Sequence, residues 1–216
     1  MADTKGILFV ISGPSGTGKG TICAGLPLGG EAEISVSMTT RQPRRGEKEG
    51  KSYYFVNREV FLEMIGSDGF YEYAEVYGEY YGTPKAPVLE KLAAGKDVIL
   101  EIDTQGAMQI KNSCPDAVLI FILPPSFEEL RKRIERRGSE SPEKIEQRFG
   151  KAKSEIAAIS NYEYCVLNKN LDTAIQDVAA IMKAEHSAEI DEKITQRAAA
   201  LRVSENAEEI ARWLSG

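Results

Sequence analysis

A chain of 216 residues with 42% hydrophobic side chains can bury a sizeable core, and its length suits one domain with insertions better than two independent ones. Its composition excludes intrinsic disorder, and a formal charge of -6 excludes a general nucleic-acid binder, because a duplex partner rewards a protein-wide excess of Lys and Arg. Cys23, Cys114 and Cys165, odd in number and in no CxxC spacing, argue against a disulfide framework or a zinc site. In chain order, GILFVIS at 6–12 reads as a central strand. It runs into GPSGTGKGT at 13–21 and then into a helix through Leu26, stopped by Pro27 and the Gly29-Gly30 pair. Residues from about 35 to 92 break this rhythm, being rich in Tyr, Gly and charge with short strand-like pieces such as YYFV at 53–56; they read as an inserted subdomain.

Three later apolar runs, DVILEI at 97–102, VLIFIL at 118–123 and YCVL at 164–167, suit strands covered on both faces. Strands alternating with helical patterns imply an α/β protein with a mostly parallel sheet. Ser126 with Glu129 forms a capping box for a helix through Arg137, and Ser141, Pro142, Glu143 and Glu146 open another. Past Glu185, Ile190, Ile194, Ala198 and Leu201 form a helical stripe. It packs on its own body or, in a homo-oligomer, against another subunit. The N-terminus lacks a signal-length apolar run and no stretch is long enough to span a bilayer, so a soluble, cytoplasmic protein with no membrane contact is expected.

The spacing from Gly13 to Lys19 matches GxxxxGK in the required strand, turn and helix context. Gly13, Pro14, Ser15, Gly16, Thr17, Gly18, Lys19, Gly20 and Thr21 would curl so that backbone N–H groups face a phosphate, with Lys19 as the point charge for the β- and γ-phosphates. Residue 20 is glycine where the usual loop has a hydroxyl for Mg²⁺, and Thr21 follows. The form GKGT resembles the loop of adenylate kinases, which also work with magnesium.

A second constellation, TTRQPRRGEKEGKSYYFV at 39–56, resembles the guanylate kinase signature at every defined position. The resemblance runs from about residue 6 to 185 and includes GPSGTGKG at 13–20, GEYYGTP at 78–84, EIDTQG at 101–106 and ILPPS at 122–126. It implies a P-loop three-layer α/β/α core with a parallel sheet (about 4–36, 93–136 and 160–185), an inserted mixed GMP-binding subdomain (about 37–92), a small lid (about 137–159) and a C-terminal helical tail (about 186–216). The implied reaction is phosphoryl transfer from ATP to GMP, assisted by Mg²⁺, in purine nucleotide metabolism; preference for dGMP is left open. A catalytically silent guanylate-kinase-like binding module and a kinase of another nucleoside monophosphate are the alternatives. The intact Lys19 and its glycines oppose the first, and the match of the insert opposes the second.

The resemblance places Ser37, Arg41, Arg44, Tyr53 and Tyr81 on the GMP phosphate, and fork-shaped arginine donors suit that anion. It places Glu72 on guanine, with Thr83 and Glu101 as further base contacts. A carboxylate accepts from guanine N1–H and N2–H, whereas adenine N1 would face it unpaired, a mismatch costing roughly 1–3 kcal/mol or more. Arg137 and Arg148 match the lid arginines, with Arg133 adjacent; Arg131, Lys132 and Arg136 read as a solvated helix face. Charge spread over the transferring phosphoryl group is what such arginines stabilise. The acceptor is already an anionic oxygen, so no base is needed, and the lone His186 reads as a structural or surface residue. Asp103 sits where such enzymes place a carboxylate near the metal, or makes a structural hydrogen bond. Asn168 matches a position near the adenine of ATP, or forms a turn.

Overall fold

The structure, a computed structural model, describes residues 5–76, 78–136, 142–186 and 191–215. Along the chain lie β1 (Leu8–Ser12), α1 (Lys19–Gly25), β2 (Ala32–Ile34), β3 (Met38–Thr39), β4 (Tyr54–Phe55), α2 (Arg58–Gly66), β5 (Phe70–Val76), β6 (Glu79–Pro84) and α3 (Lys85–Ala93). They are followed by β7 (Asp97–Glu101), α4 (Thr104–Ser113), β8 (Val118–Leu123), α5 (Phe127–Arg136), α6 (Pro142–Ile156), β9 (Tyr164–Leu167), α7 (Leu171–His186), α8 (Glu192–Ala199) and α9 (Ala207–Ser215). The chain is thus an α/β protein whose long apolar runs form parallel strands, as their composition predicts. It divides into two compact units, one holding Leu28–Leu100 and Gln105–Ala117, the other Phe9–Pro27, Glu101–Thr104 and Val118–Gly216.

In the second unit β1 pairs with β8 and β8 with β9, all in parallel, with Phe9 opposite Val118 and Ile120 opposite Tyr164. Every side chain of β1 and β8 is buried, which is why these strands read as unbroken apolar runs. Burying each large side chain contributes about 1.5–3 kcal/mol. Helix α5 starts where Ser126 Oγ accepts from Glu129 N–H at 3.2 Å, the expected cap, and buries Leu130 and Ile134 one turn apart. Ser141 and Arg137, named for the cap of α6 and the end of α5, lie outside the described residues.

The C-terminal stripe does not form one helix. Its first part, α8, packs on α7, where Arg197 Nε donates to Asp177 at 2.6 Å and Ala198 is buried. The chain is then extended at Arg202, which bridges Tyr164 on β9 before a 3-10 turn at Val203–Asn206: Leu201 O accepts from Cys165 N at 2.8 Å and Val203 N donates to Glu163 O at 3.0 Å. Covering β9 in this way satisfies backbone groups that an open strand edge would expose, and it ends the helix before α9 begins. Ile190 lies outside the described residues; the rest of the stripe packs on its own unit, the first of the two predicted packings.

In the first unit β2 pairs with β7 in parallel, Ile34 opposite Ile99. A second, mixed sheet has the order β4-β3-β6-β5, with β3 and β4 parallel and the other pairs antiparallel. Asn57 caps α2, its side chain accepting from Val60 N at 2.8 Å. The helix then buries Phe61, whose ring stacks on Phe70 and Tyr80 at centroid distances of 4.3 and 5.3 Å, fixing α2 on the sheet. A register shift between Phe70 and Glu72 marks a bulge, a device that re-aims the side chain beside it. From α4, the Gln109 side chain accepts from Tyr73 N at 3.1 Å and donates to Tyr73 O at 3.0 Å, bracing β5 next to Glu72.

Candidate active site

In the second unit β1 delivers the loop at residues 13–18, and two glycines permit its path. Gly13 has φ 138, and a Cβ there would lie 2.5 Å from Ile122 O; Gly18 has φ 92, and its Cβ would lie 2.5 Å from Asn168 Nδ2. Positive φ and this crowding exclude a side chain at either position. Thr17 is wholly buried and donates to Pro14 O at 3.0 Å. Lys19 opens α1, and its ammonium donates to Gly13 O and to Pro14 O, so the charge is held over the loop by the loop's own carbonyls. Asn168, buried at the end of β9, donates to Thr17 O at 2.7 Å while its own backbone carbonyl accepts from Arg133 Nη2 at 3.1 Å. This geometry makes Asn168 a brace between β9 and the phosphate loop.

Other charges surround that loop. Arg148 of α6 donates to Ser15 Oγ, and Arg133 is oriented one turn along α5 by Glu129 at 2.9 Å. Arg137 lies outside the described residues. A Cβ at Gly20 would lie 3.1 Å from Glu101 Oε1, so the Glu101 carboxylate stands beside the position that lacks the usual hydroxyl. Asp103 lies 3.9 Å from Lys151 Nζ, which also lies 3.5 Å from Glu155. Burial, opposed by Lys151, holds the Glu155 carboxyl above its usual range, and burial pushes the Cys23 thiol on α1 up to about 12. Lys151 and Glu155 belong to no motif; their only sequence signal is an i,i+4 charge pair on a helix. Thr21 is exposed. Its hydroxyl and the Glu101 and Asp103 carboxylates are hard oxygen donors of the kind Mg²⁺ prefers when phosphates supply the remaining ligands.

In the first unit Arg41 is the hub of a cluster. Its Nε donates to Tyr81 Oη at 3.2 Å, while Nη1 and Nη2 donate to the two carboxylate oxygens of Glu47 at 3.0 and 2.9 Å. Glu47 is the main reason why the Arg41 pKa rises further above its ordinary value, and Arg41 in turn lowers that of Glu47. The Tyr53 ring lies 5.5 Å from the guanidinium and 6.0 Å from the Tyr81 ring. Arg44 is exposed, and its backbone N–H donates to Glu47 at 2.7 Å. Ser37 is half-buried and its carbonyl accepts from Tyr54 N at 2.9 Å.

Glu47 is a residue to which the sequence assigned no role, although it is a defined position of the 39–56 pattern. Its function in the fold is to close the turn and hold the Arg41 fork in place. Close by in sequence pairing, Glu72 is 7% exposed and accepts from Thr83 Oγ1 at 2.7 Å, Thr83 itself being 1% exposed. Burying a carboxylate is costly unless donors meet it, so this pair is a built acceptor on the β5–β6 hairpin.

A family model, guanylate kinase, matches residues 5–185. A guanylate kinase of Clostridium tetani is 53% identical over 84% of this chain and 87% of that one, and one of Clostridium perfringens is 54% identical over 85% of each. The crystal structure of guanylate kinase from Anaplasma phagocytophilum superposes with a TM-score of 0.70 at 35% identity, covering 88% of this chain and 90% of that one. No helix among the described residues is long and apolar enough to cross a membrane.

Proposed function

We propose, because this chain belongs to the guanylate kinase family, a division of labour in which residues 37–92, with Glu101, bind GMP and the loop at 13–21 binds the phosphates of ATP. The reaction is ATP plus GMP giving ADP plus GDP. The observation that carries the assignment of the acceptor is the buried Glu72–Thr83 pair on the same hairpin as Tyr81. A carboxylate with one neutral donor already in place retains acceptor capacity for guanine N1–H and N2–H. Arg41, Arg44, Tyr53, Tyr81 and Ser37 are assigned to the GMP phosphate, with Glu101 as a further contact of the base. The lone pairs that Glu47 offers Arg41 stand in for an acceptor's oxygens and keep the fork pre-shaped, which lowers the ordering cost of binding.

On the donor side, residues 13–21 cradle the triphosphate, and Lys19 leaves its loop carbonyls for the β- and γ-phosphates. Arg148, Arg133 and Arg137 stabilise charge on the moving phosphoryl group. Asn168 is assigned to the adenine side, where its hold on Thr17 also fixes the loop. Thr21 and Asp103 would hold Mg²⁺, which when bound would neutralise charge on the triphosphate. The acceptor oxygen of GMP is anionic, so attack needs no proton removal, and positioning together with exclusion of water accounts for the chemistry.

Residues 37–92 are assigned as the GMP-binding insert, 137–159 as the lid, and the remainder up to 185 as the core. We propose the cytoplasm as the protein's compartment. The test is ADP production with GMP, dGMP, AMP, CMP and UMP as acceptors. GMP is expected to lead by orders of magnitude; equal turnover with AMP would overturn the role of Glu72.

A further inference from the structure

We propose that Trp213, in the C-terminal segment beyond the residues that the family model matches, is a positioning residue for phosphoryl transfer, steadying α6 through a relay of aromatic rings. The proposal rests on the reading of Arg148 as an arginine that faces the phosphates. Trp213 is the chain's only tryptophan, and its ring lies 4.2 Å from that of Phe127, at the start of α5. Phe127 meets Phe149 of α6 edge to face at 5.9 Å. Phe149 adjoins Arg148, whose guanidinium donates to Ser15 of the phosphate loop. One ring therefore touches α9 on one side and, on the other, the helix that presents Arg148.

The end of the chain is anchored well enough to serve as a brace. Residues 201 and 203 hydrogen-bond along β9, and Asn206 Nδ2 donates to Ala200 O and Arg202 O at 2.7 and 2.9 Å. On α9, Ile210 is buried three residues before Trp213, so both lie on one face of the helix. Among the described residues, α5 and α6 also meet through charged side chains. Arg131 pairs with Glu146 in an exposed bridge, a kind that contributes little in water. Lys153 Nζ lies 4.9 Å from the Phe127 ring, a contact that also depends on Phe127 staying in place, and the Arg131 guanidinium lies 5.3 Å from the Phe149 ring.

Trp213 Nε1 is buried with no hydrogen-bond partner among the described residues. The indole therefore acts through its ring faces, and phenylalanine can replace it. An aromatic pair shifts an equilibrium by roughly two- to tenfold beyond its buried area. Trp213→Ala is accordingly expected to lower kcat/KM for ATP by about five- to tenfold while KM for GMP stays within about twofold. Trp213→Phe should restore most of the loss.

The deciding experiment is a double-mutant cycle with Arg148→Ala on the full chain, with folding checked by circular dichroism. If Trp213 acts through Arg148, Trp213→Ala adds less than about twofold once Arg148 is gone. An undiminished effect in that background, or unchanged kinetics of Trp213→Ala, overturns the relay. Should Trp213→Ala not fold, the same cycle with Phe127→Leu decides the matter by the same criteria. Wild-type turnover of Arg148→Ala would instead sink the reading of Arg148 itself, so the two failures are told apart.

Discussion

Replacing Glu72 by Gln changes one atom of a buried acceptor and should shift its preference among bases away from guanine. Glu72 is 7% exposed and accepts from Thr83 at 2.7 Å; the glutamine oxygen can keep that bond, so the fold should survive. The second carboxylate oxygen becomes an amino group that donates. Guanine then meets a donor with its own N1–H or N2–H, and a charge-assisted bond is lost while a buried donor goes unpaired. Those two losses together amount to about 3 kcal/mol or more. At 1.4 kcal/mol per decade, kcat/KM for GMP should fall by at least about 10²-fold. Adenine offers N1 as an acceptor and N6–H as a donor, the complement of a primary amide, so kcat/KM for AMP should rise or hold. The measurement is ADP release with each acceptor for both proteins. An unchanged GMP to AMP ratio would refute the assignment of Glu72 to the base, whatever the absolute rates.

Three further outcomes follow from the site. Lys19→Ala should cut kcat by at least about 10²-fold with the melting temperature nearly unchanged, because its bonds to Gly13 and Pro14 carbonyls are local; retention of most turnover would refute its role. Arg41→Lys should raise KM for GMP and lower kcat together, since an ammonium cannot span both oxygens of Glu47 and reach Tyr81 as the fork does. Survival of both constants would move the phosphate clamp elsewhere. Cys23, pushed up to about 12 by burial, should resist alkylation at pH 8, where roughly one thiol in 10⁴ is ionised. Because its folded pKa is raised, the stability linked to that thiol is present below pH 9 and is lost as pH climbs toward 12. Rapid labelling of Cys23 in the native protein at pH 8 would contradict its burial.

The long elements were legible because burial on both faces writes itself as an unbroken run, as in VLIFIL at 118–123. Of the two-residue strands, β4 was legible within YYFV at 53–56, whereas β3 was not: so few residues carry no periodicity, and its pairing depends on β4 and β6. The C-terminal stripe misled for a related reason. Its spacing is helical, but Leu201 and Val203 take backbone partners beside β9, and tertiary pairing at a strand edge outweighs local preference. In the site, side chains with a chemical signature could be named from spacing alone, whereas their partners could not. Arg41 was visible and its carboxylate partner was not, just as Asn168 was visible and its hold on Thr17 was not.

Gly20 shows how far such reading reaches. From the sequence it is a missing hydroxyl. In the fold, the Glu101 carboxylate stands 3.1 Å from where a Cβ would be, so a serine there would bring its hydroxyl against a carboxylate, which accepts hydrogen bonds and would draw the donor toward itself. The glycine and the glutamate therefore constrain each other across α1 and the end of β7. On the proposed assignment, a side-chain oxygen for a cation at this corner comes from Asp103 or Thr21 rather than from residue 20, where a side chain would meet the carboxylate that the neighbouring strand delivers.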